Sequence, residues 1–183
     1  LDVFGVAVSG VDHFEAIDLG LAVEDAARSV GDEITQAGGI ALSVVCDVAD
    51  ERSVAAMVRD TVGWSGRIDC VAANAGIMVE GGILDLSLDD WRRAMDVNAT
   101  GAFLTARATL PHLVPAKGAL VFTSSTVALS GMKGVAAYSA AKAGATGFTR
   151  AIARETGRYG ITVNAVSLST LEPPLDEEAM AAF

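Results

Sequence analysis

The sequence predicts an α/β fold, a parallel β-sheet with helices on its faces, from two observations. Apolar runs of strand length alternate with amphipathic segments of helix length, which is the order that crossover connections between parallel strands require. The composition, 51% hydrophobic and 20% charged, is that of a globular chain. A length of 183 residues fits one domain, which we place at residues 1–183.

Five short apolar segments are the predicted strands. Each is rich in aliphatic residues, as expected of a parallel strand that is buried on both faces, and each is followed by small or polar residues. The predicted strands are residues 3–8, 40–46, 68–73, 119–124 and 161–167.

Four segments between these strands have the apolar spacing of helices. The first stops at Gly38 and Gly39, which are typical of a helix C-terminus. The third opens with Ser87 and Asp90 as a capping box, and we expect it to break near Asn98. The predicted helices are residues 21–37, 51–64, 87–113 and 136–157.

The charge balance excludes several partners. A net charge of -10 repels the phosphates of nucleic acids and anionic membranes, and no run of Lys or Arg offsets it. No apolar stretch approaches the roughly 18 residues of a membrane helix. Cys46 and Cys70 lie in predicted strands and have no metal-ligand spacing, so we expect buried thiols, no metal site and a cytoplasmic location.

Small and polar residues follow the predicted strands. Carboxyl ends of parallel strands meet at one edge of a sheet and ligands bind beyond that edge, so these residues are candidates for a site. The alternative is that they begin ordinary loops. They are residues 7–10, 47–48, 74–76, 124–125 and 167–169.

Tyr138 and Lys142 lie one helical turn apart in the last predicted helix, so a phenol and an ammonium can act on the same bound molecule. The alternative is a surface helix with an incidental pair. Alanine and glycine make up most of the surrounding positions, and they allow close packing either on the sheet or on the helix of a partner chain.

Four motifs together resemble the short-chain dehydrogenase/reductase family between about residue 20 and residue 178. They are "CDV" at 46–48, "ANAG" at 73–76, "MDVNATGAF" around Asn98, and Ser125 followed by Tyr138 and Lys142. The resemblance implies a Rossmann-like, doubly wound parallel sheet. It also implies an oxidoreductase that interconverts a secondary alcohol and a ketone with NAD or NADP, as a dimer or tetramer of identical chains.

The resemblance assigns catalytic roles to Asn98, Ser125, Tyr138 and Lys142. Tyr138 would exchange a proton with the substrate oxygen. A free phenol, with a pKa of about 10, is a weak base, so its anion needs the ammonium of Lys142 and the oxidised nicotinamide beside it. Ser125 would hydrogen-bond the substrate oxygen. Asn98 would position a water that links Lys142 to solvent, and bonding of its amide to the backbone at a helix break is compatible with that role.

The resemblance also assigns cofactor contacts. Asp47 and Val48 would lie at the adenine, and the turn after the third strand would lie at the adenosine ribose, while Lys142 would hold the nicotinamide ribose. Asp47 has an alternative role as the cap of the following helix. The implied cofactor-binding residues are Asp47, Val48, Asn74, Ala75, Gly76, Tyr138 and Lys142.

The chain departs from the family pattern at both ends. No glycine-rich phosphate-binding turn follows residues 3–8, so we interpret them as the family's second strand, with the first strand and helix missing. Because Leu1 is not methionine, we expect the natural protein to begin upstream. Leu168 and Ser169 replace the usual Pro-Gly, Pro173 stands at the expected threonine, and the last strand of the family is missing. The choice between NAD and NADP stays open.

Other classes of protein remain as alternatives. One is a non-catalytic Rossmann-like binding or assembly protein, or a truncated inactive relative, against which the presence of all four catalytic-type residues argues. Another is a sugar-nucleotide epimerase or dehydratase, which also uses Tyr and Lys but has a separate substrate domain, for which this chain lacks length. The substrate pocket is expected at residues 77–87 and 168–183, which carry no diagnostic group.

Overall fold

The structure, a computed structural model, describes residues 5–10, 28–29 and 31–169. The strands are β1 (Gly5–Gly10), β2 (Ala41–Cys46), β3 (Cys70–Ala73), β4 (Ala119–Ser125) and β5 (Thr162–Leu168). All five predicted strands are confirmed, with shifted ends, and residues 3 and 4 of the first lie outside the described residues. Every pairing between them is parallel, as predicted.

The helices follow the predicted order. They are α1 (Glu51–Ser65), α2 (Leu88–Met95), α3 (Gly101–Ala116), α4 (Val127–Ser130) and α5 (Ala136–Thr156). A π-helical turn at Asp96–Thr100 joins α2 to α3, and a 3₁₀ turn at Gly157–Tyr159 follows α5. Within the segment predicted as the first helix, residues 28–29 and 31–36 are helical, and residues 21–27 and 30 lie outside the described part. The short helix α4 was not predicted.

Side-chain caps explain where α1 and α2 begin. The Asp50 carboxylate accepts a hydrogen bond from the Arg52 N–H, which fixes the start of α1. The Ser87 hydroxyl accepts one from the Asp90 N–H at 3.0 Å and donates to the Asp90 carboxylate at 2.7 Å. Ser87 is therefore confirmed as the predicted cap of α2, and the Asp90 carboxylate accepts from the Ser87 hydroxyl.

Among the described residues, the larger of two hydrophobic clusters connects strands β2 to β5 with helices α1, α3 and α5. Cys46 of β2 and Phe122 of β4 belong to the same buried cluster, together with Val54 of α1 and Ile152 of α5. The ring of Phe148 on α5 lies edge-on to Phe122, with centroids 5.9 Å apart. Burial of apolar surface on both faces of the strands is what a parallel sheet requires.

The strands form two sheets, where the sequence predicted one. One sheet has the order β1-β2 and the other β3-β4-β5. A doubly wound sheet has the order 3-2-1-4-5-6, and removing its first strand leaves this pair of sheets. The pairing of β1 with β2 therefore agrees with the interpretation of residues 3–8 as the family's second strand.

A cavity of about 440 Å³ lies beside β3. Residues of β3, α1 and α3 line it, together with Asn74, Asn98 and Lys142. Cys46 is buried as predicted, but Cys70 is exposed, so that prediction is wrong for the second thiol. The physical reason is that β3 pairs with β4 alone among the described strands, which leaves its other edge uncovered.

Candidate active site

Asn98 lies in the π-helical turn between α2 and α3, at the predicted helix break. Its side chain is 2% exposed. The amide nitrogen donates to the carbonyl oxygens of Ala94 at 2.9 Å and Ile77 at 2.8 Å. These bonds hold the side chain across the gap between α2 and the loop after β3. The amide oxygen, Oδ1, is buried and has no partner in the described part of the protein. The expected bonding of the Asn98 amide to the backbone is present, and within the described ranges the amide oxygen is left as an unused hydrogen-bond acceptor.

Gly76, in the loop after β3, lies against this acceptor. A Cβ atom at position 76 would be 2.6 Å from Asn98 Oδ1 and 3.1 Å from Lys142 Nζ. The first distance is shorter than a non-bonded contact allows, so only glycine fits without a shift of Asn98. The absence of a side chain at Gly76 therefore lets the loop, the π turn and α5 meet at one point.

Lys142 is buried in α5, with 4% of its surface exposed. Its Nζ donates to the backbone carbonyl of Thr123 at 2.8 Å and lies 5.6 Å from the centroid of the Tyr138 ring. Burial lowers the pKa of Lys142 below its ordinary value because the charged form loses hydration. The alternative of an incidental surface pair is wrong for this lysine.

Tyr138 and Ser125 approach this lysine from two elements. Tyr138 is partly buried in the first turn of α5, one turn before Lys142. Ser125 is the last residue of β4, two residues after Thr123. Its hydroxyl oxygen accepts a long hydrogen bond, 3.4 Å, from the N–H of Val127. The strand end and the helix thus carry the remaining predicted catalytic residues to the same region.

Asp47 and Val48 follow β2 and have different environments. The Asp47 carboxylate is exposed and accepts a hydrogen bond from the Ala49 N–H at 2.9 Å. The cap of α1 is Asp50, so the alternative role of Asp47 as that cap is wrong. Val48 is buried, and a Cβ on Gly101 would be only 2.9 Å from its Cγ2. The Val48 side chain is part of the core and also lines the cavity.

Thr123 is a residue of the site that the sequence analysis missed. Its hydroxyl donates to the Asn74 side-chain oxygen at 2.7 Å, and its carbonyl accepts from Lys142. Ser124 and Thr146 share a second hydrogen bond of 2.7 Å between β4 and α5. Thr123 and Ser124 both stand near the carboxyl end of β4, and this position was the signal in the sequence that could have identified them. Ala75, between Asn74 and Gly76, packs partly buried against the core.

The arrangement can hold and move protons in a partly enclosed space. It combines a buried ammonium, an unpartnered amide oxygen, a phenol and a hydroxyl at the carboxyl ends of two neighbouring strands. This is where Rossmann-like α/β proteins bind their ligands. The fold and this grouping of side chains therefore identify the chain as a Rossmann-like α/β protein.

Comparisons with known proteins give the family. A family model described as enoyl-(acyl carrier protein) reductase matches residues 5–182. A solved structure of a dehydrogenase/reductase from Sinorhizobium meliloti 1021 superposes with a TM-score of 0.78 at 29% identity, covering 96% of this chain and 67% of that chain. The chain belongs to the short-chain dehydrogenase/reductase family.

Relatives with assigned activities are similar over most of this chain. Meso-2,3-butanediol dehydrogenase of Serratia marcescens is 34% identical over 92% of this chain and 68% of that protein. Trans-4-hydroxycyclohexanecarboxylate dehydrogenase of Sinomonas cyclohexanicum is 36% identical over 84% of this chain and 61% of that protein. The 3-oxoacyl-acyl-carrier-protein reductase of Synechocystis is 36% identical over 85% of this chain and 64% of that protein. The chain thus spans about two thirds of the length of these relatives.

Proposed function

We propose that the complete protein is an NAD- or NADP-dependent oxidoreductase that interconverts a secondary alcohol and a ketone, with Tyr138 as the acid/base. The observation that carries this proposal is the convergence of Asn98 and Lys142 on Gly76, one helical turn from Tyr138. Packing alone does not account for a buried ammonium beside an unpartnered amide oxygen, because both cost free energy when they are buried. Family membership supports the same activity.

The residues around Gly76 fit a nicotinamide dinucleotide. A backbone without a side chain lets a ligand approach the loop 74–76 closely. Asp47 is exposed at the end of β2, where it is free to meet an adenine. The proposed contacts are Asp47, Val48, Asn74, Ala75, Gly76, Tyr138 and Lys142. When bound, the dinucleotide supplies or accepts the hydride.

The chain's own residues manage the proton. Tyr138 gives a proton to the substrate oxygen in reduction and removes it in oxidation. Ser125 donates a hydrogen bond to the same oxygen and stabilises the charge that develops on it. Lys142, whose pKa is lowered by burial, releases a proton more readily than an exposed lysine. Asn98, with Oδ1 unpartnered, has an acceptor for a water that connects Lys142 to solvent.

Replacement of Tyr138 tests the proposal. In the complete protein we expect Tyr138→Phe to lower kcat by on the order of 10²–10⁴-fold, since the phenol oxygen is lost with little change in packing. Its dissociation constant for the dinucleotide should stay within about twofold, because the variant keeps the aromatic ring and the other six proposed contacts. Steady-state rates and calorimetric titration measure both quantities.

The matched control is Tyr159→Phe, which changes the only other tyrosine of the chain, at an exposed position after α5. It should leave the rate unaltered. Turnover of Tyr138→Phe close to that of the parent would reject Tyr138 as the acid/base.

The remaining parts of the proposal concern the setting of the enzyme. None of the helices in the described ranges is long and apolar enough to cross a membrane. We place the enzyme in the cytoplasm, acting on a small molecule as a dimer or tetramer of identical chains. Which of the two dinucleotides it uses is decided by titration of the complete protein with each.

A further inference from the structure

Three segments of the chain meet around Ser125 and Tyr138. The N–H of Gly81 donates to the Gly134 carbonyl at 2.8 Å, which ties the loop after β3 to the residues that precede α5. The N–H of Thr126 donates to the Leu168 carbonyl at 2.9 Å, which ties the end of β5 to the residue after Ser125. The surroundings of the proposed reaction are therefore built from residues 77–90, 126–135 and 166–169.

Large apolar side chains stand exposed on all three segments. Met78 is 51% exposed in the loop after β3, and Leu168 is 43% exposed at the end of β5. Leu129 on α4 is 77% exposed, and Met132 in the following loop is 52% exposed. Eight large apolar residues are exposed on these segments in all, and the other four are Ile83, Leu84, Leu88 and Val166. Single exposed apolar residues are ordinary, but eight on segments that adjoin one proposed site mark a surface for an apolar ligand.

The charges on the same segments are mostly negative. They carry four acidic residues, Glu80, Asp85, Asp89 and Asp90, and a single basic residue, Lys133. Arg92 and Arg93 follow on α2, where Arg92 pairs with Asp89. A carboxylate or phosphate on the substrate would therefore meet acidic loops and apolar side chains, and burying an unpaired charge is costly.

We infer that the substrate is a neutral, apolar secondary alcohol or its ketone, bound against Met78, Leu129, Met132 and Leu168. This inference rests on the proposed function. In the oxidation, the carbinol C–H bond breaks and its hydride passes to the oxidised dinucleotide, while the O–H proton passes to Tyr138, which leaves the ketone. The four apolar residues take no part in these transfers and determine which alcohol is bound.

A matched pair of alcohols tests the inference on the complete protein. Cyclohexanol and trans-4-hydroxycyclohexanecarboxylate share a ring and a secondary alcohol and differ by one carboxylate. We expect kcat/KM for cyclohexanol to exceed that for the hydroxy acid by at least about tenfold, the size that one pocket interaction commonly contributes. Equal values, or a preference for the hydroxy acid, would overturn the inference.

A charge-introducing variant identifies the surface. Leu129→Lys should lower kcat/KM for cyclohexanol and raise it for the hydroxy acid, because the ammonium offers the carboxylate a partner. The matched control is Val114→Lys, which places the same charge at an exposed apolar position of α3. An identical response of the two variants would also overturn the inference.

Ligand binding separates this inference from the proposed function. Saturation-transfer NMR with cyclohexanone and 4-oxocyclohexanecarboxylate needs no turnover. Preferential binding of the neutral ketone that Leu129→Lys removes, in a protein that transfers no hydride with either dinucleotide, would support the apolar site and refute the oxidoreductase. Turnover with some other alcohol but no binding of cyclohexanone would refute the apolar site alone.

Discussion

At the scale of single residues, Lys142 shows how the site opposes the stability of the fold. Its ammonium is buried against the Thr123 carbonyl and the Tyr138 ring, and it has no carboxylate partner in the described part of the protein. Desolvation lowers the pKa of Lys142, which means that the folded protein holds its proton less tightly than the unfolded chain does. A residue placed for packing alone would not need this charge.

Replacement of Lys142 tests whether its burial costs stability, through the pH dependence of the free energy of unfolding. Between the lowered pKa and the ordinary value of about 10.4, the unfolded chain binds more protons, so the stability of the parent rises as pH increases through this window. Lys142→Met removes that gain. Urea unfolding of the complete protein, near neutral pH and near pH 10, should show a smaller increase for the variant than for the parent.

Lys133→Met is the control for this measurement, since Lys133 is exposed. We expect it to keep the pH dependence of the parent. In the same preparations, Lys142→Met should lower turnover and weaken dinucleotide binding. If its unfolding curve shifted with pH as the parent's does, the burial of Lys142 would have no energetic consequence.

Sequence reasoning succeeded for residues whose role follows from local spacing. The capping box of Ser87 and the one-turn spacing of Tyr138 and Lys142 are of this kind, because helix geometry fixes both. The carbonyl of Thr123 as the partner of Lys142 could not be predicted, because a backbone acceptor has no sequence signature. Asp47 and Asp50 both precede α1 and both carry a carboxylate that can cap a helix. The structure shows that Asp50 is the cap.

At the scale of elements, α5 has two faces made of small residues. Ala137, Ala141 and Ala145 are buried inside the protein. Gly144 and Gly147 are exposed, and a Cβ at either position would meet nothing within 4 Å. The small residues were predicted to pack either on the sheet or on the helix of a partner chain. The buried face packs inside this chain, and the exposed face is open to a partner helix.

We expect the exposed face of α5 to contact a partner chain in the dimer or tetramer. Gly147→Gln places a long side chain on that face, at a position where its Cβ meets nothing within 4 Å, so it should shift the complete protein towards smaller species in sedimentation velocity. Gly63→Gln on α1, another helical glycine with open space, is the matched control. A parent that sediments only as a monomer at micromolar concentration would contradict the interface.

The π-helical turn shows where element prediction stops. A break near Asn98 was expected, and the structure has one at Asp96–Thr100. Its type was not predicted, because a π turn is a local widening of the helix whose apolar spacing differs little from that of an α-helix. The widening accompanies the bond from the Asn98 amide nitrogen to the Ala94 carbonyl, and the amide oxygen is left without a partner in the described part of the protein.

At the scale of the whole molecule, the order of the strands was predictable only in part. Parallel strands and their number follow from the alternation of apolar and amphipathic segments. The placement of β2 and β3 in different sheets could not be predicted in this way. Hydropathy indicates that a strand is buried but not which strand lies beside it. The resemblance to the family supplied what the pattern lacked, by interpreting residues 3–8 as a second strand.

Residues 1–183 alone should bind NAD(H) and NADP(H) weakly and be largely inactive. The described strand ends carry no glycine-rich turn, and the amides of such a turn provide much of the pyrophosphate binding in this class. A chain extended upstream by a strand, turn and helix should recover binding and turnover together. Calorimetric titration of both chains with each dinucleotide is the comparison.

Micromolar binding by the shorter chain would show that another part of the protein recognises the phosphates. The interpretation of residues 3–8 as a second strand would then be wrong.

Among the described strands, the edge of β3 that faces away from β4 has no neighbour. In the described part of the chain, the backbone of Cys70–Ala73 is bonded on its β4 side, and the segment contains neither the proline nor the lysine that commonly protects an edge. Such an edge accepts any strand of suitable length, including that of another molecule, by addition to the sheet. Among the described residues, this edge is therefore the place where a further strand can extend the β3-β4-β5 sheet.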